Sequence, residues 1–137
     1  MADAPVPEAK AWMVKAWRDL EMARRAAEGE PPFYDAAVYH CQQSAEKAVK
    51  AFLVNHGKPY EKTHDIELLV DLAVEVDVGF SKLADAADAL TPYATRFRYP
   101  NATFAVEPQP SEYHDAQQHA QAIYDFVLNR LPEDARP

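Results

Sequence analysis

The chain has a single cysteine, Cys41, so no intramolecular disulfide can form. That fits a reducing compartment, and a cytoplasmic location is the expectation. There is no CxxC pair and no Cys/His cluster, and no metal or other cofactor is expected. Only three glycines occur in 137 residues. Neither GxGxxG nor GxxxxGK[ST] is present, which excludes the two common glycine-rich phosphate cradles. No stretch approaches the roughly 18 consecutive apolar residues of a membrane span. The opening "MADAPVPEAK" lacks a basic n-region and an apolar h-region, so no secretory leader is expected. Positive charge is scarce as well: 14 Lys and Arg stand against 22 Asp and Glu, a net charge of -8. Such a chain repels nucleic-acid phosphates overall. Avid nonspecific DNA binding is not expected, while a local basic patch remains open.

What is present points to one globular helical domain. Apolar residues make up 48%, and the length suffices for a real core. The core is expected over about residues 8–131 of a single domain spanning 1–137. The Pro-rich ends, "ADAPVP" and "LPEDARP", are expected to fray.

Apolar residues recur at steps of three and four in most of the chain. From Glu8 to Ala27 the stripe is Trp12, Ala16, Leu20, Ala23 and Ala27, widened by Met13 and Trp17. Gly29 and Pro31-Pro32 end it. A second helix begins near Pro32 or Phe33 and buries Val38, Cys41, Ala45, Ala48, Val49 and Phe52. Gly57 stops it and Pro59 forbids continuation. Thr63 or Asp65 caps a third helix over about Asp65 to Val76, burying Ile66, Leu69, Ala73 and Val76. Its "VEVDV" run also permits a strand, but one isolated strand has no partner. Ser81 is the expected cap of a fourth helix carrying Leu83, Ala87, Leu90, Ala94 and Phe97, kinked at Pro92. "RYPNATFAVEPQP" is a long loop. Ser111 then caps a fifth helix with Ala116, Ala120, Ile123 and Val127 as core positions. The sum is an all-α, antiparallel up-down bundle.

The second helix carries an organised polar face: Gln42, Gln43, Glu46, Lys47 and Lys50. Glu46 and Lys50 stand in the favourable i,i+4 order. Two readings fit: a solvated or interhelical surface, or a pocket wall whose amides read a base while a lysine meets phosphate. His64-Asp65 reads as a capping pair or as a polar ligand contact. Arg96 shares a face with Tyr93 and suits either an anion or a carboxylate within the bundle. Arg98, two residues on, points to another side. Trp12 and Trp17 read as core and dimer contacts, and Cys41 as an inert core thiol. His114 and His119 are five apart, not the four that aligns metal ligands, so no metal site is expected there.

"WRDLEMARRA", "YHCQQSAEKAVKAFLVNHG", "THDIELL" and "YATRFRYP" follow one another in that order. This combination resembles the HEPN domain family over about Ala11 to Val127. The resemblance implies a four-helix up-down bundle with an additional short helix, usually a homodimer. Bacterial members of that family are often encoded beside a minimal nucleotidyltransferase, several such pairs acting as toxin and antitoxin, so such a partner is an expectation here. Many members are metal-independent ribonucleases that use an Arg followed, after four to six residues, by a His. Here Arg96 and Arg98 are present but the next histidine is the distant His114. Metal-free RNA cleavage needs a proton acceptor, and arginine cannot supply one. The remaining pattern resembles the nucleotidyltransferase-associated subgroup.

The leading expectation is therefore a noncatalytic module binding a nucleotide, RNA or a protein partner. Its ligand groove would use Gln43, Glu46, Lys47, Lys50, His64, Asp65, Tyr93, Arg96, Arg98 and Tyr99, with Tyr99 also a candidate acceptor of nucleotide transfer. The enzyme alternative is a metal-independent endoribonuclease using His64, Arg96 and His114. A purely structural dimeric scaffold is the third reading.

Overall fold

A computed structural model describes residues 5–98 and 107–137. Among them are five α-helices: α1 (Pro5–Glu28), α2 (Tyr34–Asn55), α3 (Ile66–Val74), α4 (Ala84–Leu90) and α5 (Pro110–Leu128). Short 3-10 turns lie at Val78–Leu83, Thr91–Ala94 and Glu133–Ala135. Among the described residues there is no strand, and no helix is long and apolar enough to cross a membrane. The all-α, up-down bundle expected from the periodicity is what the chain adopts.

α2 is the central rod. It packs antiparallel along α1 and also meets α5, α3 and α4. Its expected stripe is buried throughout, and so are Gln42, Gln43, Ser44, Glu46 and Lys50. A helix enclosed on nearly every side must pair its polar groups internally. Ser44 Oγ donates to the Ala16 carbonyl of α1 at 2.8 Å. Every buried side-chain nitrogen and oxygen among the described residues has such a partner.

α2 ends as expected. Gly57 sits at φ 63, its N–H bonds the Val54 carbonyl, and the Lys58 N–H bonds the Leu53 carbonyl. This is a Schellman closure, and the left-handed residue favours glycine. A Cβ at Gly57 would meet nothing within 4 Å. Gly57→Ala should therefore cost only the backbone penalty, about 1 kcal/mol, read as a lower urea midpoint with an unchanged slope.

Asp65 caps α3, its carboxylate accepting from the N–H groups of Glu67 (3.0 Å) and Leu68 (3.4 Å). Thr63 Oγ1 accepts from the Asp65 N–H at 3.0 Å. Several expected details differ. α3 stops at Val74, so Val76 is exposed rather than buried, and Val78 lies further out still. Ser81 caps nothing: it lies inside a 3-10 turn capped by Asp77. α4 ends at Leu90 instead of kinking through Pro92, because proline has no N–H to continue the ladder and Thr91–Ala94 tightens to 3-10. Phe97 then takes φ 69, outside any helix. Gln109, not Ser111, precedes α5, and its N–H bonds Glu112 Oε1 at 3.4 Å. Trp17 is 49% exposed, because the buried stripe of α1 runs through Ala9, Met13, Ala16, Asp19 and Ala23. The C-terminal segment is not frayed: Leu131 and Ala135 are buried, and the last 3-10 turn packs on α1.

Candidate functional site

The polar face of α2 is a network built around one buried carboxylate. Glu46 is 3% exposed. Its Oε2 accepts from Lys50 Nζ at 2.8 Å. Its Oε1 accepts from Gln42 Nε2 at 3.0 Å and lies 2.9 Å from His64 Nδ1. Gln42 Nε2 also reaches the His64 carbonyl at 3.1 Å, and Gln43 Nε2 donates to Gln42 Oε1 at 2.7 Å. Burial alone would push the Glu46 pKa up. Hydrogen bonds from Lys50, Gln42 and His64 outweigh it and hold the carboxyl below the ordinary glutamate value.

An ionised carboxylate can only accept, so His64 donates through Nδ1–H. Its Nε2 is left for a ligand, on a ring whose side chain is 70% exposed. The loop between α2 and α3 carries this imidazole, and Glu46 fixes its direction. Lys50 is enclosed by contrast. Its ammonium lies 5.5 Å from the Trp12 ring centre and 5.8 Å from that of Tyr60.

Arg98 reaches the same side of α2. Its guanidinium lies 3.9 Å from the ring centre of Tyr39. Tyr39 and Gln42 are one turn apart, about 5 Å along the axis. The arginine and the imidazole thus flank one stretch of α2, with Gln42 and Gln43 between them. Arg96 turns elsewhere, its guanidinium 4.7 Å from the Phe97 ring. Tyr93 stacks on Phe97 and donates to Glu112 Oε2 at 3.2 Å. Burial and the Glu112 charge push its phenol up to about 12, so it stays a donor.

Lys47 leaves the face altogether. It bonds Asp19 Oδ2 of α1 at 2.7 Å, while His40 Nδ1 lies 2.9 Å from Asp19 Oδ1. Asp19 is 1% exposed. A second imidazole is therefore oriented by a buried carboxylate, and the His40 ring meets Tyr39 edge-on at 5.2 Å. Asp19, Tyr39 and His40 escape a reading of the sequence for site residues. Asp19 leaves one trace there: a charged residue three after Ala16 and four before Ala23, at core spacing. Burial next to Asp19 raises the Cys41 thiol to about 12, desolvation first and the carboxylate charge second, which keeps it inert.

His114 belongs to another surface. It lines a groove with Leu20, Arg24, Tyr34 and Tyr113 between α1 and α5. Tyr34 and Glu46 are separated by about a third of a turn around α2. One chain therefore unites His64 with Gln42, Gln43, Glu46 and Lys50, brings Arg98 alongside, and leaves Lys47, Arg96 and His114 apart. Asp65 serves as the α3 cap. Tyr99 lies outside the described residues.

An antiparallel helical bundle with a histidine, two glutamines and an arginine along its central rod is the class of protein defined here. The HEPN domain model matches residues 9–131, and the chain belongs to that family. Two solved structures are similar at a TM-score of 0.71. One is ST0689, an archaeal HEPN homologue, 27% identical, with 89% of this chain and 96% of that one covered. The other is TT1696 from Thermus thermophilus, 29% identical, with 90% and 98% covered. Among curated proteins, none matches.

Proposed function

We propose that this HEPN-domain protein is a noncatalytic module that binds a phosphate-bearing nucleotide along α2. One observation carries the reading: the His64 imidazole, held by buried Glu46, and the Arg98 guanidinium, seated on Tyr39, lie along one face of α2 about two turns apart. Arginine offers planar donors to phosphate and the His64 Nε2 offers a further polar contact. Gln42 is fully buried and engaged within the network, so of the pair only Gln43, 9% exposed, has an edge to offer a base. Both lysines are already paired to carboxylates, so Arg98 is the cation assigned to phosphate. Nothing in this scheme calls for a metal.

The same reading makes the protein a cytoplasmic homodimer and one half of a pair with a minimal nucleotidyltransferase, of the toxin–antitoxin kind. The family resemblance supports those two partners. Calorimetry with ATP, with and without chelator, tests the site. Heat is expected in both conditions, with affinity reduced about tenfold by Arg98→Ala and by His64→Ala. An unchanged affinity in both variants overturns the assignment.

A second reading, a metal-independent endoribonuclease, draws on two imidazoles, His64 and His40, each oriented at Nδ1 by a buried carboxylate. Such orientation leaves Nε2 available as a proton acceptor. Cleavage of RNA in chelator, lost in both His64→Ala and His40→Ala, would favour it over the binding module.

A further inference from the structure

α3 has apolar residues on two faces. Ile66, Leu69, Val70 and Ala73 enter the core. Leu68 and Leu72, one turn apart, line a cleft of about 590 Å³ against Pro59, Tyr60 and Thr63. Leu68 is 53% exposed. A cleft of this size takes one or two large apolar side chains.

The surroundings are strongly acidic. Residues 61–88 hold eight carboxylates against two lysines, most of the chain's net charge of -8. Asp71 lines both the cleft and the adjoining hollow with Glu67. Glu67 is crowded by like charge: a hydrogen bond shared with Asp88, then the charges of Asp88, Asp65 and Asp71, push its carboxyl above the ordinary value. A cation placed there relieves that repulsion.

We propose that the cleft between residues 59–63 and α3 docks a basic amphipathic helix of a partner protein. Leucine-type anchors one turn apart enter beside Leu68 and Leu72, and lysines or arginines on the rim meet Asp71 and Glu67. The charge argues against the other occupants. Nucleic acid and anionic membranes are repelled, and a second copy in a two-fold dimer brings the same acidic rim against itself. This proposal is independent of nucleotide binding along α2.

The test is fluorescence anisotropy with a labelled helical peptide carrying leucines at i and i+4 and lysines elsewhere. Two companion peptides replace the lysines by glutamate or the leucines by alanine. The lysine–leucine peptide should bind, and each companion should bind at least about tenfold more weakly. Leu68→Ser and Asp71→Lys should weaken it about tenfold, whereas Glu30→Lys, remote and exposed, should leave it unchanged. Asp71→Lys should partly recover the glutamate peptide. Because Leu68 is half exposed, Leu68→Ser should keep the helical circular dichroism. Should it unfold, Asp71→Lys and the peptide series decide. Absence of binding, equal binding of the glutamate peptide, or an equal loss in Glu30→Lys overturns the proposal. So does a sedimentation experiment in which Leu68→Ser splits a homodimer.

Discussion

Glu46→Ala should destabilise the protein by about 3–5 kcal/mol, the usual cost of stranding one partner of a buried ion pair. Lys50 is nearly enclosed between Trp12 and Tyr60, and among the described residues Glu46 is the carboxylate it pairs with. Gln42 loses an acceptor and His64 loses its anchor in the same step. Urea denaturation reads the loss as a lower midpoint. The pH dependence follows from the depressed Glu46 pKa. A carboxyl that is more acidic folded than unfolded stabilises the fold above its unfolded value. That contribution fades as pH falls from about 4.5 through the lower folded value. The wild type should therefore lose more stability than Glu46→Gln between about pH 5 and pH 3. Equal slopes in that window would mean that the network does not hold Glu46 ionised.

Phe80→Ala should cost a comparable amount, about 3–5 kcal/mol. Phe80 is 0% exposed and stands between two other rings, 4.3 Å from Phe52 and 4.9 Å from Phe126 by centroid. These contacts join α2 to α5 through a 3-10 turn. Truncation removes both contacts and leaves a void that rigid neighbouring helices fill poorly. Set against a total stability of ~5–15 kcal/mol, this loss takes a large share. Thermal unfolding by circular dichroism measures it. A shift below about 1 kcal/mol would show that the turn can collapse inward and refill the space.

The helices legible from periodicity are those that bury one regular stripe. α5 follows its spacing closely, α2 buries its expected stripe along with much of its remaining surface, and Gly57 and Asp65 mark the end of α2 and the start of α3 by chemistry that is local to the chain. Legibility fails where the backbone leaves the 3.6-residue period. Phe80 lies in a 3-10 turn, outside any repeating stripe, so its place in the core leaves no trace in spacing. Pro92 signals a disturbance, yet a kink and a helix end cost the same missing N–H and look alike in sequence.

The site divides in the same way. Glu46–Lys50 is a four-residue spacing and can be read directly. His64–Glu46 spans 18 residues and depends on how the loop before α3 folds back, which no pattern encodes. The enclosure of Gln42 and Lys50 is hidden because their types normally signal solvent. Only the number of helices around α2 makes them interior. Lys47 falls in with that face by proximity in sequence, whereas one residue beyond Glu46 is about 100° of rotation and another helix.

The tail beyond α5 has a consequence for the ends of the chain. Leu131 and Ala135 are buried, the last 3-10 turn rests against α1, and Arg136 Nε donates to the Leu131 carbonyl at 3.1 Å. The last 3-10 turn and α1 are therefore packed together and are expected to open together. Amides near the start of the first rod should slow their deuterium uptake in step with those of the final turn, and a carboxypeptidase that trims the tail should speed both.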